Sequence, residues 1–234
     1  MALRSHPRQR GWRPGAERDP SQDPAPERGT ARRIGLLGGS FNPAHEGHLH
    51  ISVLALERLD LDELWWLVSP QNPLKPSAGM APLGQRLEAA RAIARDPRIR
   101  VTDIERALGT RYTIDTLRAL KTRHPGVRFV WVMGADNLIE IRRWKEWRSI
   151  FRMLPIAVFA RPSYVLRALR SGAARRFASA RKGRLRAADL AGLDPPAWVL
   201  LQTPRHAASA TRIRARRGAA GLPAANVRGS RAND

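Results

Sequence analysis

The stretch RIGLLGGSFNPAHEGHLHISVLALERL, residues 33–59, sets the frame for the rest of the chain. Its apolar run, 34–37, predicts a buried strand, and the run stops on Gly38-Gly39. From Glu46 the apolar residues recur at the spacing of a helix, through LHISVLALERL. A strand, a turn of small residues and a helix make the first unit of an alternating α/β fold. Crowded into the turn and the helix start are Ser40, Phe41, Asn42 and three histidines, His45, His48 and His50.

The alternation continues downstream. ELWWLV (63–68) reads as a second strand, QNPLKPSAGMAP (71–82) as a Pro-rich loop, and LGQRLEAARAIARD (83–96) as a helix. A short strand is expected at 99–104, and a helix from Thr113 through TIDTLRALKTRH. VRFVWVMG (127–134) is strongly apolar and predicts a central strand, followed by a helical stretch ADNLIEI (135–141). WKEWRSIFRM (144–153) reads as a helix and PIAVFA (155–160) as a strand. After Arg161 the chain looks helical or irregular until AWVLLQTP (197–204), one more strand. Strands alternating with helices imply a parallel sheet covered on both faces, a doubly wound, Rossmann-like α/β fold. The expected organisation is an extension without fold at 1–31, one domain at 32–218 and a loose tail at 219–234.

Composition bounds the partners. No window reaches the roughly 18 apolar residues of a membrane span. The chain has no cysteine, which excludes disulfides and thiolate metal sites and suits a reducing compartment. Arg32-Arg33 precedes an apolar run too short for an export signal, and the acids and prolines of 1–31 disfavour an amphipathic transit helix, so a cytoplasmic protein is expected. The net charge of +22 is uneven: residues 1–33 carry +4, residues 34–160 carry +5 and residues 161–234 carry +13. Such an excess attracts anions, nucleotides or nucleic acid among them. No RRM, KH, zinc-finger or helix-turn-helix signature accompanies it, so no specific nucleic-acid partner is expected.

The opening turn has the make-up of an anion site. Gly38, Gly39 and Ser40 let backbone N–H groups approach a phosphate, and the helix that follows adds its N-terminal partial charge. His45 and His48 are three apart across the helix start, so both rings can face one anion. HEGH is not the HExxH of zinc proteases, and the turn is neither GxGxxG nor a P-loop, so hydride transfer and P-loop hydrolysis lose support. No protein ligand set for a metal is expected.

GSFNPAHEGH (39–48) resembles the GSF-D/N-P-x-H-x-G-H signature of the HxGH nucleotidyltransferase superfamily. SATRIR (209–214) resembles the [ST]-x-T-x-I-R motif of the adenylyltransferases that build NAD. QNPLKP (71–76), RYTIDTLRAL (111–120), WVMGADNL (131–138) and RRWKEWRSI (142–150) resemble, in order along the chain, further segments of bacterial nicotinate-nucleotide adenylyltransferases. The resemblance implies adenylyl transfer from ATP, with Mg²⁺, to nicotinate mononucleotide, giving deamido-NAD and pyrophosphate. Transfer to nicotinamide mononucleotide is the alternative within the superfamily, and a basic nucleic-acid-binding protein the alternative from another class.

By resemblance, His45, His48 and Arg214 stabilise the transition state. Gly39, Ser40 and Phe41, with Ser209 and Thr211, meet the ATP phosphates. Gly134, Asp136 and Asn137 take the adenosine. Ser40, Phe41, Lys75, Thr113 and Trp144 take the nicotinate nucleotide. An ordinary helix cap competes for Asp136, a solvated side chain for Lys75 and a core position for Trp144, and a core position is the better reading for Trp147. The pair Trp65-Trp66 is expected to be structural. Against the family pattern, Asn42 replaces the commoner Asp, Leu74 a His, and Arg143 and Lys145 flank Trp144 where Thr and Tyr are common. Lys145 there would add positive charge suited to a carboxylate.

Overall fold

The computed structural model describes residues 31–71 and 79–203. The expected unfolded extension, the loop lysine Lys75 with Leu74, the SATRIR segment and the tail lie outside the described residues.

Among the described residues seven strands form one sheet: β1 Arg33–Gly39, β2 Glu63–Val68, β3 Ile99–Thr102, β4 Arg128–Gly134, β5 Ile156–Ala160, β6 Arg181–Lys182 and β7 Trp198–Gln202. Their order is β3-β2-β1-β4-β5-β7-β6, and every pairing is parallel. Because parallel neighbours need long crossovers, helices fill the intervals. These are α1 Glu46–Arg58, α2 Leu83–Ile93, α3 Ile104–Ala107, α4 Thr113–Arg123, α5 Ala135–Glu140, α6 Trp147–Met153, α7 Val165–Leu169 and α8 Gly172–Arg176.

Both faces of the sheet are buried, which is why β2 and β4 read as continuous apolar runs rather than alternating ones. On one face Leu36, Trp65, Trp131 and Val158 pack under Ile114 and Leu117 of α4, Leu138 of α5 and Phe151 of α6. On the other, Leu37, Trp66, Val132 and Phe159 pack under Ala55 and Leu56 of α1 and Leu87 and Ala90 of α2. The chain winds outward from β1 through β2 to β3, then restarts at β4 and winds the other way. The strand order therefore reverses between β1 and β4, the place where open α/β sheets bind ligands.

Three expectations are corrected. The strand expected at 99–104 ends at Thr102, because Thr102 Oγ1 accepts the Ile104 N–H (3.1 Å) and starts α3 there. The helix expected from Trp144 begins only at Trp147: Trp144 closes a 3-10 turn and Glu146 is left-handed, φ 48°. The region after Arg161 contains the two-residue strand β6, too short to leave a periodic signal.

Candidate active site

Gly38 and Gly39 end β1, and Gly134 ends β4, so the expected phosphate turn and the expected adenosine segment face each other across the reversal. Gly38 has no space for a side chain: a Cβ there would lie 2.5 Å from the tip of the Trp131 indole. A Cβ on Gly134 would lie 2.3 Å from Asp136 Oδ1, so that carboxylate lies over the bare Cα. Gly134 takes the N-cap position of α5, and Asp136 is the acid of its first turn.

Phe41 is a left-handed residue that is not glycine, φ 45°, a conformation costing about 1–3 kcal/mol unless its surroundings enforce it. Here they do. The residue is 2% exposed, its ring stacked on Trp66 with centroids 5.0 Å apart and tilted against His48 at 4.7 Å. Buried in this way, the ring is not presented to a ligand.

The two histidines are held by their own helix. His45 is the N-cap of α1, and its Nδ1 accepts the Gly47 N–H at 3.1 Å. His48 Nδ1 accepts the His45 N–H at 3.2 Å, closing a capping box made of imidazoles. A nitrogen that accepts carries no hydrogen, so in each neutral ring the hydrogen sits on Nε2, as a donor. The rings lie 3.9 Å apart, tilted by 31°, and so act as a pair. Behind them Trp66 Nε1–H donates to Ser52 Oγ (2.7 Å), whose hydroxyl donates to His48 O (2.8 Å). Trp66 is thus structural, as expected, but it is also the floor under Phe41 and His48. Trp65 faces the opposite side of the sheet.

A second cluster sits at the start of α4. Thr113 is its first residue, half-buried, with no side-chain cap from Tyr112 before it. Lys145 Nζ pairs with Asp115 of α4 at 3.0 Å and lies 4.8 Å from the Tyr112 ring centre. This brings the Trp144 turn to the α4 start, so Thr113 and Trp144 share a neighbourhood. The positive charge expected to suit a carboxylate is engaged by Asp115 instead. Trp144 and Trp147 are both half-buried against the core: Trp144 meets Trp131 edge to face at 6.3 Å, and Trp147 meets Phe151 and Phe177 edge to face.

Sequence reasoning missed two buried charged groups beside the turn. Arg86 of α2 is 3% exposed, and burial lowers its pKa. Its signal was its place in the apolar stripe Leu83, Arg86, Leu87, Ala90, Ile93, where a charge is out of pattern. Glu105 of α3 is 7% exposed; burial pushes its carboxyl above the ordinary range, against the pull of a hydrogen bond with Ser69. Among the described residues no group of three or more His, Asp or Glu is placed to hold a metal ion.

A parallel sheet with a glycine turn, paired imidazoles and a helix start at its reversal point is the arrangement of a nucleotidyltransferase. Residues 36–216 match a family model described as cytidylyltransferase-like. The chain is 55% identical over 186 residues to a protein of Parvibaculum lavamentivorans named "Probable nicotinate-nucleotide adenylyltransferase", covering 80% of this chain and 92% of the relative. A protein of the same name from Cereibacter sphaeroides is 57% identical, covering 78% and 96%. The chain belongs to the nicotinate-nucleotide adenylyltransferase family. In fold it is similar to the Plasmodium falciparum nicotinic acid mononucleotide adenylyltransferase solved in complex with NaAD (TM-score 0.59, 18% identity, covering 79% of this chain and 83% of that one).

Proposed function

We propose that this chain transfers the adenylyl group of Mg-ATP to nicotinate mononucleotide, giving deamido-NAD and pyrophosphate. A 5′-phosphate oxygen of the acceptor forms a bond to the α-phosphorus of ATP, and the bond from that phosphorus to the oxygen bridging to the β-phosphorus breaks. The acceptor is already an anion, so the work is alignment and charge neutralisation rather than proton removal. Mg²⁺ arrives as part of the ATP, held by phosphate oxygens and water.

The imidazole capping box carries the reading. With both Nδ1 atoms committed to backbone N–H groups, neither ring is set up as a base through that atom, and both offer Nε2–H to developing negative charge. In this reading the backbone of Gly39, Ser40 and Phe41 lines the phosphates. Gly134, Asp136 and Asn137 hold the adenosine, and Thr113 with Trp144 holds the nicotinate, its carboxylate at the α4 start. Lys75, Ser209, Thr211 and Arg214 add phosphate contacts by resemblance, within a domain taken as 32–218. A cytoplasmic setting goes with it.

The test is pyrophosphate release from Mg-ATP with nicotinate mononucleotide and its amide as parallel acceptors. The expected result is strong preference for the acid, with His48→Ala slowing turnover roughly 10²–10³-fold. Preference for the amide would place the chain among direct makers of NAD. No release with either acceptor would overturn the reading.

A further inference from the structure

Arg86 makes a junction of four backbone carbonyls drawn from three places in the chain. Its Nη1 donates to Ser40 O and to Ser69 O, both at 2.7 Å. Its Nη2 donates to Pro70 O at 2.9 Å and its Nε to Ala81 O at 2.9 Å. Ser40 follows β1, Ser69 and Pro70 follow β2, and Ala81 precedes α2. Asn42 reinforces the junction: its Nδ2–H donates to Gly79 O (2.9 Å) and its Oδ1 accepts the Ala81 N–H (3.2 Å). An aspartate at position 42 would supply only the second of these bonds.

In a trans peptide the C=O and the following N–H point in opposite directions. Pinning Ser40 O against the guanidinium therefore turns the Phe41 N–H to the other side of that peptide. Phe41 is the residue held left-handed beside His48. We infer that Arg86 is a positioning residue, whose grip on the Ser40 carbonyl aims the strained Phe41 amide at a substrate phosphate. This rests on the transfer reaction proposed above. Arginine suits the task because its planar fork presents five N–H groups in fixed directions, whereas a lysine in the same place cannot reach four separated carbonyls at once.

Arg86→Lys and Arg86→Ala are to be compared with wild type, each at a temperature where circular dichroism shows it fully folded. The expected loss in kcat is roughly 10- to 100-fold, with the KM for Mg-ATP moving by less than about threefold. A surface hollow of ≈ 300 Å³, lined by Asn42, Pro43, Ala81, Gln85, Arg86 and Ala89, gives a small ion access. Millimolar guanidinium should therefore restore turnover to Arg86→Ala and leave wild type unchanged. A second readout does not depend on the acceptor. The Phe41 amide proton should move downfield in ¹⁵N-resolved spectra when wild type is saturated with Mg-ATP or with deamido-NAD, and should not move in Arg86→Lys. A kcat for Arg86→Lys within about threefold of wild type would overturn the inference, as would a wild-type Phe41 amide indifferent to both nucleotides. Wild type inactive with either mononucleotide but showing the amide shift would sink the transfer reading and leave the Arg86–Phe41 linkage standing.

Discussion

Gly38 and Trp131 occupy one space between them, and the glycine lacks a Cβ because the indole fills it. Gly38→Ala should cost about 1–3 kcal/mol in urea unfolding, since a tightly packed core cannot make room cheaply. Trp131→Phe removes the colliding ring edge, so the double variant should lose less than the sum of the two singles. Additive losses would mean the collision is relieved elsewhere. At this scale His45 and His48 were legible because their spacing and glycine neighbours are a local pattern. Their mutual capping was not, because it depends on backbone N–H directions that sequence does not carry. Arg86 was missed for a related reason: one buried arginine within an otherwise ordinary amphipathic helix looks like surface charge until its stripe is counted.

Short elements were the least legible. α3 has four residues and β6 two, below the length at which periodicity can be seen. Glue between elements also escaped, and α3 shows what it does. Glu105, near the carboxyl end of β2 through Ser69, holds its proton more tightly folded than unfolded. Its contribution to stability is therefore full below its ordinary value of 4.5 and is lost as pH rises through the raised folded value. Glu105→Gln removes that dependence. Melting curves from acid to neutral pH should show the variant gaining on wild type as pH rises; a constant difference would show that Glu105 titrates as an ordinary carboxylate.

Across the whole molecule the parallel sheet and its covering helices were readable, since alternation of apolar runs and amphipathic stretches leaves few topologies. What strand order alone could not say is which loops meet, and the meeting of the β1, β2 and β4 ends makes the site. Charge acts at this scale too. With a net charge of +22 and polyanionic substrates, kcat/KM should fall several-fold to roughly tenfold between low and physiological salt while kcat changes little, because screening weakens encounter and not chemistry. A flat salt profile would mean the charge lies where substrates do not approach.

Among the described residues the sheet ends on Arg181–Lys182, two exposed basic residues paired to β7. An open strand edge is a template on which a neighbouring molecule can lay its own backbone, and long parallel sheets carry that hazard through every folding cycle. Two residues offer too few free amides to seed such a graft, and their like charges repel the same edge on a second copy. At this margin the protein is protected from growing into an intermolecular sheet, so any lasting pairing of copies across it must be made by side chains rather than by backbone.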